Sequence, residues 1–155
     1  YTASFVHIAQ AERHRTLKYF MFFNPNLSEH EFFVPPMLLG TSYADEWLAD
    51  LESVKDLIPQ ATKVCIVETG HISDFILKCE ERLCGRAQLE IMQQTSITAA
   101  KFIEDVDSGV ITNKACINYV NKLRNKSGRI KTKCQMLSCK EPCYWGSKNA
   151  LSRLI

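Results

Sequence analysis

The last third of this 155-residue chain almost lacks acid. Residues 111–155 hold 10 Lys/Arg and a single acidic residue, Glu141. Residues 1–110 are the reverse, with 9 Lys/Arg against 16 Asp/Glu. The overall charge of +2 therefore conceals a net of −7 and a net of +9. Glycine is also scarce, at 6 residues. Thr69-Gly70 is too little glycine for a phosphate-cradling loop, which argues against an ATP or dinucleotide site. Long apolar runs are missing. Residues 19–23 form one of the longest, far short of a bilayer span. No cleavable leader, internal repeat or low-complexity tract is visible. The first residue is Tyr1 rather than Met, and the chain is expected to be a piece of a longer protein.

What is present describes an ordinary globular chain. Hydrophobic residues make up 46% and charged residues 23%, enough for a proper core in one domain. That domain is expected to comprise an acidic body, residues 1–110, and a basic, Cys-containing part, residues 111–155. Cysteine is not lacking: there are 7, an odd number. A disulfide framework wants an even set in an exported chain. Cys65 lies in an apolar strand pattern, and Cys79 and Cys116 on apolar helix faces. These read as reduced core thiols, which favours an intracellular setting, with the nucleus as one reading. An exported, disulfide-bonded domain is the competing reading.

Periodicity divides the chain into alternating elements. Residues 5–9 and 16–23 read as strands joined by a polar loop. Residues 31–34 read as a third strand, stopped by Pro35-Pro36. Ser42 with Asp45 three residues on resembles a capping box, and helical spacing continues to Ile58. Residues 63–68 are nearly all apolar, as in a strand covered on both faces. Ser73 opens a second helix with Phe75, Ile76, Cys79 and Leu83 inward and Gly85 closing it. Residues 87–92 alternate like a strand, and Ile97, Ala100, Phe102 and Ile103 mark a third helix ending near Gly109. A fourth helix spans about 113–124. Residues 129–136 alternate as an edge strand with Lys131 and Lys133 facing outward.

The predicted class is α/β: three antiparallel strands followed by βαβα units, in a mixed central sheet flanked by helices. This order resembles that of the ribonuclease H-like fold. A Rossmann-like or flavodoxin-like sheet from residue 44 onward is the alternative. The resemblance implies a nuclease only if acids gather to hold two divalent metals. The expected first strand, residues 2–9, carries no acid. Glu68 ends the fourth strand, and Asp74 and the 104–107 acids (Glu104, Asp105 and Asp107) are further candidates, each equally readable as a surface acid.

Two constellations remain. Cys134, Cys139 and Cys143 cluster as thiolate ligands do for zinc, without a Cys-x2-Cys knuckle. A fourth ligand would come from Cys116, His71, His30 or Glu141, and free thiols are the plain alternative. Lys122, Arg124, Lys126, Arg129, Lys131 and Lys133 fall within 12 residues with no acid among them. Tyr144 and Trp145 offer stacking surfaces nearby. Basic patches with aromatics suit nucleic acid. The competing readings are docking on an acidic protein or on the chain's own acidic body. No histidine lies in a recognisable nucleophile pattern.

The expectation is therefore a non-enzymatic interaction module of a larger intracellular protein, nuclease-like in layout without the catalytic acids. It would bind nucleic acid or an acidic protein through its basic C-terminal surface, with no membrane contact. A metal-dependent nuclease or phosphoesterase using Glu68 and the 104–107 acids is the enzymatic alternative. If the three cysteines hold structural zinc, chelation should lower the melting temperature and Cys139→Ser should do the same. Mass analysis without zinc, together with unchanged melting, rules the site out.

Overall fold

The computed structural model describes residues 1–23 and 31–135. They form two compact units, Tyr1–Thr69 and a second beginning at Gly70. The compositional step at residue 110 thus falls inside the second unit, between two helices. The α/β class holds: the described residues form a three-stranded antiparallel sheet and five α-helices. The βαβ units expected after residue 44 are not seen among the described residues, where every strand pair is antiparallel.

The first unit is built on β3 (Lys63–Thr69), with β1 (Thr2–Ser4) on one side and β2 (Lys18–Phe22) on the other. Ala3 pairs with Val64, and Met21 with Ile66. Ala3, Ile8, Val64 and Ile66 form the core, with Phe5 and Tyr19 against it. β3 is central as expected but not covered on both faces. Val64 and Ile66 are buried, whereas Val67 is 52% exposed.

Residues 5–9 are not a strand but most of α1 (Phe5–Ala11). The Oγ of Ser4 accepts a hydrogen bond from the backbone N–H of His7 and caps the helix. His7, Ile8 and Ala11 then recur at helical spacing and are all buried. Five residues are too few to separate period 2 from period 3.6, and the cap decides it. His7 is part of that buried stripe. It is fully buried, and its Nε2 lies 3.1 Å from the Tyr1 hydroxyl.

The expected strand at 31–34 reduces to one bridge, Phe32 to Thr62, before Pro35 and Pro36 interrupt pairing. α2 runs Ser42–Ser53, shorter than expected. Thr41 occupies the N-cap, and no side chain caps the helix. A 3-10 turn, Lys55–Leu57, follows. Ile58, at φ +48, then takes a left-handed conformation that a β-branched residue adopts at a cost. Pro59 disfavours the ordinary helical alternative at that position.

The second unit is helical: α3 (Ile72–Arg82), α4 (Leu89–Asp107) and α5 (Lys114–Asn121). Ile76, Cys79, Leu83, Ala99 and Leu123 form its core, with Ile72, Tyr119 and Ile130 packed on it. α3 begins after His71 rather than Ser73, and closes at Leu83 without a left-handed Gly85. Residues 87–92 do not form a strand. Gln88 Oε1 accepts from the Ile91 N–H at 3.0 Å and starts α4. The buried stripe Ile91, Met92, Thr95, Ser96 and Ala99 shows the helical period that six residues hid. Gly109, at φ +75, follows the end of α4 as expected, and Asn113 caps α5 through the N–H groups of Ala115 and Cys116.

Leu123 is completely buried, and truncation to Ala should cost about 2–5 kcal/mol. Leu57 is 81% exposed, and Leu57→Ala should stay within about 0.5 kcal/mol. Urea denaturation of the two variants distinguishes them. Equal midpoints would contradict this core.

Candidate anion-binding hairpin

The chain leaves α5 at Asn121 and turns back on itself within ten residues. Asn125 organises the turn. Its Oδ1 accepts from the Ser127 N–H, the Ser127 hydroxyl and the Arg129 N–H at 2.9, 2.7 and 2.9 Å. Short polar side chains at such positions replace backbone partners. Gly128, at φ +78, takes the left-handed position that a side chain would strain. The Asn125 N–H bonds to Arg129 O, and the Lys131 N–H to Leu123 O at 2.7 Å. Arg124 and Ile130 bridge between them. The expected strand at 129–136 is therefore one arm of a small hairpin, followed by a 3-10 turn at Lys133–Gln135. Alternation in sequence arises here without a ladder to support it.

The six basic residues divide into two sets. Arg124 and Lys133 are tied down. The Arg124 guanidinium meets Asp107 through two hydrogen bonds, at 2.7 and 3.1 Å, and also donates to Ile103 O. Lys133 Nζ lies 2.6 Å from Glu81, with its side chain 17% exposed. These are contacts to the unit's own acids, the docking alternative realised for two residues of six. Lys122, Lys126 and Arg129 are exposed, and Lys131 is half-buried. None of these four makes an ion pair among the described residues. Lys122 Nζ stands 4.6 Å from the centre of the Tyr119 ring. The fixed pairs orient the hairpin, and the exposed cations are what it offers to solvent.

The acids of the nuclease alternative are distributed differently. Glu68 lies in β3 of the first unit and Asp74 in the first turn of α3. Glu104 and Asp105 both reach Lys101 at 3.1 Å, which holds the lysine's pKa above its ordinary value, chiefly through Asp105. Asp107 belongs to Arg124. Among the described residues, no three His, Cys, Asp or Glu side chains converge as a metal would need. Cys134 is half-buried in the 3-10 turn. Cys139, Cys143, Tyr144, Trp145, His30 and Glu141 lie outside the described residues. His71 is the N-cap residue of α3. Among the described residues no disulfide joins Cys65, Cys79, Cys84, Cys116 or Cys134 to another of them, and of the expected core thiols only Cys79 is fully buried.

Two residues essential to this geometry, Asn125 and Glu81, were missed in sequence, and Asp107 was singled out only as a candidate nuclease acid. Asn125 followed closely by Ser127-Gly128 is a turn signal that could have been read. Nothing local marks Asp107 or Glu81 as partners of residues 17 and 52 positions away. No protein-family model matches the chain, and neither does any curated protein. Among the described residues, no helix is long and apolar enough to cross a membrane.

The hydrogen bonds from Arg124 hold the Asp107 carboxyl below its ordinary range. A carboxyl that binds protons more weakly when folded stabilises the fold fully above its unfolded value of about 3.8, and loses that contribution as pH falls through the lower folded value. Asp107→Asn should therefore lower the melting temperature at neutral pH. The gap should close under acid. Melting curves from neutral to strongly acidic pH test this, and a gap independent of pH contradicts it.

Proposed function

We propose that this chain is a non-enzymatic interaction module that holds the phosphate backbone of nucleic acid through the hairpin after α5. The observation that carries the reading is the division of charge on that hairpin. Arg124 and Lys133 anchor it to Asp107 and Glu81, while Lys122, Lys126 and Arg129 stand exposed beside half-buried Lys131. Cations left in water keep their hydration until a polyanion arrives, and binding then releases the polyanion's condensed counterions. A built turn holding exposed cations costs less to order on binding than a loose tail does. Phosphate contacts position a protein without reading sequence. The expected behaviour is therefore salt-sensitive and weakly selective. In the same reading, Trp145, which follows the basic cluster in sequence, is the candidate stacking side chain.

Hydrolysis finds less support. The α4 acids already have Lys101 and Arg124 as neighbours, and a divalent cation would have to compete with both.

Replacing Lys122, Lys126 and Arg129 with Glu tests the reading. Exposed substitutions of this kind should each change stability by about 0.5 kcal/mol or less. The wild type should bind duplex DNA with a log–log salt slope near about −2.7, and single strands near about −2.1, for three phosphate contacts. The triple variant should fold and lose most of that slope. Unchanged nucleic-acid binding by a folded triple variant rejects the hairpin as the surface. Binding to polyglutamate with no binding to nucleic acid transfers the reading to an acidic protein.

A further inference from the structure

The first unit carries a different surface, independent of the hairpin. α2 has four acids, Asp45, Glu46, Asp50 and Glu52, and no Lys or Arg. None of its 12 residues is buried. A helix of that length is marginal by itself and ordinarily depends on packing an apolar face. Here the helix is held to its surroundings partly by the Trp47 indole, which donates to Phe33 O at 3.0 Å. Beside it lies an open groove of roughly 490 Å³, floored by Phe32, Val34, Leu48 and Ala49. Glu31 and Glu52 stand on its rim, where Lys63 faces Glu31. Asp45 precedes Leu48 and Ala49 by one helical turn and shares their face.

We propose that this groove is a docking site for a short amphipathic helix carrying Lys and Arg beside its apolar face. The apolar floor requires large apolar side chains from the occupant. The charge around it favours cations, since Glu31 and Glu52 line it and Asp45 shares the helix face of Leu48 and Ala49, against Lys63 on Glu31 and Lys55 on Glu52. A helix presents both together, with apolar residues at i, i+3, i+4 and i+7 and charges alongside. The chain's own basic hairpin is a poor occupant from a second copy. Leu123 there is fully buried, Ile130 is packed on the second unit's core, and what remains exposed there has no large apolar side chain.

The probe is a labelled peptide of about 18 residues, long enough to form a helix, built from Leu, Ala and Lys with Leu at every third or fourth position. Fluorescence anisotropy with the full chain should show saturable binding. A Lys→Glu peptide and a Leu→Ala peptide should each bind about tenfold more weakly or worse. Ala49→Arg fills the groove from an exposed position and adds a like charge, so it should weaken the parent peptide about tenfold. Glu52→Gln should weaken it less. Circular dichroism checks that the variants fold. If Ala49→Arg does not, Glu52→Gln and the three peptides decide alone. The proposal is overturned by absent binding, by equal binding of the Lys and Glu peptides, by a folded Ala49→Arg that binds normally, or by a concentration-dependent dimer in sedimentation that excludes the peptide.

Discussion

Burial of Leu123 is the constraint on which the basic surface depends. The residue lies two positions after the end of α5, and its side chain sits in the core with Ile76, Cys79, Leu83 and Ala99. Its carbonyl accepts from Lys131 and closes the hairpin. With Leu123 fixed inside, its neighbour Lys122 is left exposed while Arg124 reaches Asp107 on α4. An apolar anchor thus sets the placement of charges that themselves contribute little. An exposed ion pair is worth about 0–1 kcal/mol, whereas a buried Leu is worth several times that. The ion pairs orient the hairpin, and the hydrophobic contact holds it.

What could be read from sequence follows a simple division. β3 was legible as a nearly unbroken apolar run, and Ile76 and Cys79 of α3, with Leu83 at its end, because they keep a helical period. α1 and the start of α4 were misread because residues 5–9 and 87–92 are short enough to fit two periods. Caps from Ser4 and Gln88, one side chain each, settle them. The strand expected at 129–136 failed for another reason. Its alternation is real, but the segment's backbone goes to Leu123, to Leu83 and into a 3-10 turn. Where a chain's hydrogen bonds go is a tertiary fact. For the same reason the six cations looked alike in sequence, and only distant Asp107 and Glu81 distinguish the anchored pair from the exposed set.

The two units differ in the sign of their charge and in how they use apolar surface. Residues 1–69 hold 5 Lys/Arg against 9 Asp/Glu, while residues 70–135 hold 11 against 7. The helical unit contributes most of the large, fully buried side chains, Leu83, Ile91, Met92, Val120 and Leu123 among them. The sheet unit keeps more outside, including Phe20, Phe22, Met37, Leu39 and Leu57. Scattered exposed apolar residues need no explanation, but an amphipathic helix without one buried residue does.

The sheet also imposes an order in time. Its outer strand β1 pairs with β3, and Thr2 meets Cys65, a partner 63 positions later. During synthesis the first unit cannot close its sheet until residue 69 has left the ribosome, although its first strand emerges well before that. Throughout that interval β1 and the aromatic strand β2 exist without the strand that joins them, so the first unit passes through its most aggregation-prone state before the central element of its sheet has been made.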